Sequence, residues 1–172
     1  MSSSAMEDVD LANLRFLIAE ENRYMLSVLR QQLKAFEIKG ISEARDGDDA
    51  AQLLHASEVD FAIVDSGMQP VDGLTFTRHV RTGKNIPNPE LPVIVLIAHP
   101  NAETIAAARD AGATEVLCKP VSAQLLFDRI QYAVKNSRDF VRTESFAGPD
   151  RRRRRDSPPI AGGDRRDQPA QT

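Results

Sequence analysis

Residues 61–65, Phe-Ala-Ile-Val-Asp, are four apolar side chains in unbroken succession, closed by a carboxylate. A strand with one face in water alternates apolar and polar residues, so a short run without alternation marks a strand covered on both faces. Val93-Ile-Val-Leu-Ile97 has the same character. Strands covered on both faces belong to parallel sheets, and parallel neighbours need crossover connections long enough to hold a helix. The rest of the chain has to supply those connections.

It does so with a regular alternation. Leu14–Ala19 is a first strand, and Met25, Leu26, Leu29, Leu33 and Phe36 then recur at helical spacing over Asn22–Phe36. Ile38–Ala44 is a weaker second strand, followed by a turn at Asp46-Gly47 and a short helix over Asp48–Ala56. After Phe61–Asp65 comes a helix over Gly73–Arg81, and the Pro-rich stretch Thr82–Pro92 is a connecting loop. Val93–Ile97, the alanine-rich helix Ala102–Ala111 stopped by Gly112, the strand Glu115–Cys118 and a helix capped by Ser122 complete the pattern. Strand and helix alternate throughout. The expected fold is a doubly wound α/β parallel sheet of strand order 2-1-3-4-5, covered on both faces.

With 172 residues, 41% of them hydrophobic, the chain can bury one substantial core, placed over residues 13–138. Residues 1–12 are polar and acidic and read as a disordered leader. From 139 to 172 no apolar periodicity remains. The run Arg151–Arg155, then Pro158-Pro159, Gly162-Gly163 and Arg165-Arg166, reads as a disordered tail, with Asp150, Asp156, Asp164 and Asp167 offsetting much of its charge. Its arginine run is a candidate for weak polyanion contact. A formal net charge of -3 argues against nucleic-acid binding by the molecule as a whole. One cysteine, Cys118, excludes an internal disulfide and a cysteine-based metal site. Val93–Ala98 is too short to span a bilayer and the N-terminus lacks the form of a signal peptide, so a cytoplasmic protein is expected.

Charge stands at three strand ends: Glu20-Glu21 after the first, Asp65 after the third and Lys119 after the fifth. In an open parallel sheet, ligands bind beyond the carboxyl ends of the strands, at the point where the strand order reverses. The first and third strands flank that point, so the three acids converge in one cleft. Carboxylates at close range repel unless a cation neutralises them, and an all-oxygen donor set suits Mg²⁺ better than zinc. Asp65 taken alone reads best as a helix-capping carboxylate; its companions at the other strand ends are what favour a nucleophile or metal ligand. His55, His79 and His99 fall on separate elements without metal-ligand spacing, and Cys118 reads as a small core residue.

This constellation resembles the receiver domain of bacterial two-component response regulators, over residues 14–136. The matching residues are the acid pair Glu20-Glu21 with Asn22 behind it, Asp65 with Met68 and Asp72-Gly73 downstream, and Asn88-Pro89-Glu90-Leu91-Pro92. Asp110-Ala-Gly-Ala113 and Lys119-Pro120 complete the set. The resemblance implies a flavodoxin-like fold and a cis Lys119–Pro120 bond. It makes Asp65 the phosphoacceptor, with Mg²⁺ held by Glu20, Glu21, Asp65 and the backbone carbonyl of Gly67. Lys119 then contacts the phosphoryl group. The implied partners are a histidine kinase or phosphotransfer protein and a downstream protein bound on the fourth helix, fifth strand and fifth helix. On this reading the chain is a stand-alone signalling receiver, not an enzyme, with no DNA-binding domain.

Four positions depart from the family pattern. Ile97 occupies the place of a hydroxyl residue at the end of the fourth strand, and Val116 that of a switch aromatic on the fifth. Glu21 replaces an aspartate, and Gln69 stands where the family has proline. A hydroxyl bond to a phosphoryl oxygen contributes about 1.5–3 kcal/mol, which isoleucine cannot supply. The alternative is therefore a pseudo-receiver of the same fold that binds partners without phosphate. A flavin protein of the same strand order would need a Ser/Thr/Gly-rich loop where this chain has Glu20-Glu21-Asn22-Arg23.

Overall fold

Each strand sorts its side chains onto two helical layers by simple alternation. The computed structural model describes residues 9–136 and 138–152. Its main sheet is built from β1 (Arg15–Ala19), β2 (Gly40–Ala44), β3 (Phe61–Asp65), β4 (Val93–Ile97) and β5 (Glu115–Cys118). The strands lie in the order β2-β1-β3-β4-β5, all parallel, as the alternation and the family resemblance lead one to expect. Between them run α1 (Arg23–Ala35), α2 (Gly47–Ala56), α3 (Gly73–Thr82) and α4 (Ala102–Ala111), with α5 (Ala123–Lys135) after β5.

Phe16, Ile18, Phe61, Ile63, Ile94, Leu96 and Leu117 point to one face, where Leu26, Leu29 and Leu33 of α1 and Leu126 and Ile130 of α5 cover them. Phe16 and Phe61 stack there, centroids 5.0 Å apart. Their strand neighbours Leu17, Ala62, Val64, Val93, Val95 and Val116 point the other way, onto Leu54 of α2, Phe76 and Val80 of α3 and Ala108 of α4. All five helices open on a side-chain cap, from Asn22, Asp46, Asp72, Asn101 and Ser122. Each such cap satisfies orphan N–H groups and contributes about 1 kcal/mol.

Both ends of the chain depart from expectation. The leader expected to run to residue 12 is docked from Val9 onward: Val9 exchanges two hydrogen bonds of 2.9 Å with the Gln131 amide, and Leu11 is buried on the α1–α5 side. Residues 1–8 lie outside the described residues. The tail expected from 139 begins with structure. β6 (Phe140–Arg142) and β7 (Ala147–Pro149) pair as an antiparallel hairpin, with Asp150 N–H donating to the Asp139 carbonyl at 2.8 Å. Three-residue strands are too short to show a period, so this hairpin leaves no hydrophobic pattern. Residues 153–172 of that tail lie outside the described residues.

The hairpin is seated on Arg81, a side chain only 1% exposed at the end of α3. Its guanidinium donates to the carbonyls of Gly112, Pro89 and Leu91 at 2.9, 2.8 and 2.7 Å. Burial pulls its pKa down to about 10, partly offset by the charge of Glu90, so it is cationic at neutral pH. The Phe140 ring lies 5.6 Å from this guanidinium, and Arg142 donates to the Arg81 carbonyl. Glu115, at the start of β5, pairs with Arg138 at 3.1 Å and with Arg129 of α5 at 3.5 Å. Together these contacts replace the apolar stripe that a longer element would use.

Gly112 caps α4 at φ 99°, and a Cβ there would lie 2.7 Å from the Ala147 carbonyl oxygen and 2.8 Å from Arg81 Cγ. Gly112→Ala is therefore expected to cost at least about 1 kcal/mol in urea unfolding, from the left-handed backbone alone. Faster amide exchange over residues 140–149 should accompany the loss. An unchanged midpoint and unchanged exchange would refute this account of the hairpin's seat.

Candidate functional site

The parallel sheet delivers Glu20, Asp65 and Lys119 to one crest because each follows or closes a strand at its carboxyl end. The strand ladders run on past the strands to fix them: Glu20 N–H donates to Ala44, Ser66 N–H to Leu96 and Lys119 N–H to Ile97, at 3.1, 2.8 and 2.9 Å. Lys119 Nζ lies 2.6 Å from Glu20 Oε2 and 2.9 Å from Asp65 Oδ1. Glu20 is 2% exposed and Asp65 6%. A single ammonium thus bridges two buried carboxylates.

The remaining carboxylate oxygens are also held. Asn22 N–H donates to Glu20 Oε1 at 3.0 Å, and Gly67 N–H donates to Asp65 Oδ2 at 3.2 Å. Glu21, exposed at the mouth, accepts from the Gln69 N–H at 3.1 Å. Gln69, notable in sequence only as a departure from the family pattern, therefore clamps the second acid to the loop after β3. That loop carries a cis Gln69–Pro70 bond, and the expected cis Lys119–Pro120 bond is present. Met68 turns into the core beneath the loop. Gly73 starts α3 where a Cβ would come within 2.2 Å of the Asp65 carbonyl oxygen, so only glycine lets the helix sit against the strand end.

Burial works against the Lys119 ammonium. Hydrogen bonds and charge from Glu20 and Asp65 outweigh it and hold its pKa above the ordinary 10.5. Three carboxylates facing one ammonium leave the crest negative, and the donors available are all hard oxygens. In charge and chemistry this set fits Mg²⁺. Among the described residues no three acidic, histidine or cysteine side chains are drawn close enough together to hold a metal, and Glu21 accepts from the Gln69 N–H.

Ile97 and Val116 are buried in the same core cluster on the α2–α3–α4 side, beside Ile105 and Ala113. Neither brings a polar group to the crest. His55 and His79, on α2 and α3, meet edge-to-face at 6.1 Å, a pairing across two elements with no sequence signal. Cys118 is buried, and burial pushes its thiol up. Among the described residues no helix is long and apolar enough to cross a membrane.

A five-stranded parallel sheet in this order, with an aspartate, an acid pair and a lysine at its crest, defines a receiver-type α/β domain. The family model for the response regulator receiver domain matches residues 16–131, and the chain belongs to that family. It is similar to the chemotaxis protein CheY of Pseudomonas aeruginosa, 28% identical over 118 residues that cover 69% of this chain and 94% of the relative. The transcriptional regulatory protein PdtaR of Mycobacterium tuberculosis is 32% identical over 130 residues, 76% of this chain and 61% of that relative's length. Among solved structures, the receiver domain of the Francisella response regulator 1452 superposes with a TM-score of 0.63 at 25% identity. That match covers 72% of this chain and the whole of the other.

Lys119→Met would leave two buried carboxylates without a cation, so a loss of about 3–5 kcal/mol is expected in urea unfolding at neutral pH. The pH dependence has a definite sign. Because folding raises the Lys119 pKa, its contribution is complete below 10.5 and disappears as pH rises through the higher folded value. The stability difference between wild type and Lys119→Met should shrink over that alkaline window. A difference that stays constant, or is absent at neutral pH, would contradict the bridge.

Proposed function

We propose that Asp65 accepts a phosphoryl group from a phosphohistidine of a histidine kinase or phosphotransfer protein. The observation that carries this reading is the Lys119 bridge between Asp65 and Glu20 in a buried, net-negative crest. An Asp65 oxygen attacks phosphorus in line, the N–P bond breaks and the imidazole leaves, so one O–P bond replaces one N–P bond. Lys119 Nζ, already at hydrogen-bond distance from Oδ1, is placed to neutralise charge added on that oxygen's side. Gly67 N–H orients the other oxygen.

Glu20, Glu21, Asp65 and the Gly67 carbonyl are the residues that would hold Mg²⁺, with Glu21 first releasing Gln69 N–H. The ion would supply further neutralisation of phosphoryl oxygens. Output runs by protein contact through α4, β5 and α5, in the cytoplasm beside the kinase.

One observation favours a second reading. Ile97 at the end of β4 and Val116 within β5 stand where a hydroxyl and an aromatic would relay phosphorylation, and both are packed in the core. On this view the chain is a pseudo-receiver whose partner binding ignores phosphate. Intact-mass measurement after incubation with a small phosphodonor and Mg²⁺ separates the two. A single phosphoryl adduct on wild type and none on Asp65→Asn is the expected result. No adduct from a cognate kinase either, with circular dichroism unchanged, would leave the pseudo-receiver standing.

A further inference from the structure

At the end of the sheet opposite Asp65, the C-terminal ends of α3 and α4 and the β6–β7 turn enclose a cleft of about 350 Å³. That volume falls at the low end of the range for small-molecule sites, about 300–1,000 Å³. Arg78, Arg81 and Thr82 line it together because their spacing places them on one face of α3. Arg142 enters from the end of β6, just ahead of the turn residues Glu144 and Ser145.

The cleft carries more cations than its own acids balance. Arg81 is buried, and its short bonds go to the neutral carbonyls of Gly112, Pro89 and Leu91. Arg78 and Arg142 are exposed, and among the described residues neither pairs with a carboxylate; Arg142 donates only to the Arg81 carbonyl, at 3.4 Å. Of the two acids on the cleft, Asp110 is taken up by Arg151 at 2.7 Å. Only Glu144 is left to oppose the three guanidinium groups. The carboxyl ends of α3 and α4 add about half a negative charge each, which still leaves the cleft positive. We propose that this cleft binds a compact phosphate dianion, held between Arg78 and Arg142.

The donor set decides between anions. Two guanidinium forks present four N–H groups in parallel pairs, and Ser145 adds a hydroxyl. A carboxylate has two oxygens and is filled by one fork, whereas a phosphate group offers at least three terminal oxygens and can take both. The rings nearby limit what that phosphate carries. Phe146 is covered by the Arg151 guanidinium, 3.9 Å from its centroid, and Phe140 lies 5.6 Å from that of Arg81. Neither ring is left to stack a base, so the ligand is a free phosphate or a small phosphomonoester rather than a nucleotide.

The test is an NMR titration of isotope-labelled full-length protein with inorganic phosphate and, separately, with glycerol phosphate. Ionic strength is held constant and Mg²⁺ is left out. Saturable shifts at residues 78–82 and 142–146, half-complete at about 1 mM or below, are expected. Arg78→Gln with Arg142→Gln should weaken binding at least ~tenfold, through the loss of charge-assisted bonds. Both side chains are exposed, so the thermal melt should not move. Glu144→Gln should tighten binding ~twofold or more, because it removes the acid that repels the dianion, and misfolding does not produce a gain. Tighter binding of glycerol phosphate than of inorganic phosphate assigns the site to a phosphomonoester, and equal binding assigns it to free phosphate. No saturable shift by about 10 mM of either probe overturns the proposal, as do shifts that the double variant leaves unchanged. Shifts confined to residues 65–69 would place the anion at the crest and overturn it too. Tighter capture of a phosphoserine peptide would replace the small ligand with a phosphoprotein.

Discussion

Two carboxylates are buried at the crest of this sheet, and one ammonium makes their burial tolerable. Without Lys119, Glu20 and Asp65 would be two buried carboxylates with no cation between them, which is strongly destabilising. With it, both are held and oriented, each also accepting from a backbone N–H of its own loop. The bridge spans three strands that are distant in sequence. It therefore ties the ends of β1, β3 and β5 together around Asp65, the proposed phosphoacceptor. The fold and the proposed chemistry depend on one contact.

Much of this was legible in the residues. The unbroken apolar runs at 61–64 and 93–97 demanded a doubly covered parallel sheet, and the charge at each strand end followed directly from where those runs stop. Gly112 as the end of α4 and Ser122 as a cap were readable because each has a simple backbone reason. The clamp from Gln69 to Glu21 was not, since a backbone N–H carries no residue signature. The His55–His79 contact was hidden for a similar reason: nothing in either helix marks which turn will face the other.

The hairpin after α5 shows a different limit. Its strands are too short for periodicity, and its anchors are arginines, the buried Arg81 held by carbonyl oxygens and Arg138 by Glu115. Arginine in a sequence reads as surface charge. Here Arg81 is among the most deeply buried side chains in the molecule, and Arg129 and Arg138 converge on a buried glutamate. Composition and the lack of apolar periodicity therefore place residues 139–152 in the tail, although the packed unit extends through the second strand of the hairpin.

Arg81 has one more consequence. Because its bonds go to Gly112, Pro89 and Leu91 carbonyls, which do not titrate, acid cannot dissolve this anchor by protonating its partners. The crest is built differently, since both partners of Lys119 are carboxylate side chains. A substitution at Glu20 or Asp65 deletes a partner of Lys119, whereas one at Pro89 or Leu91 leaves the backbone acceptor of Arg81 in place.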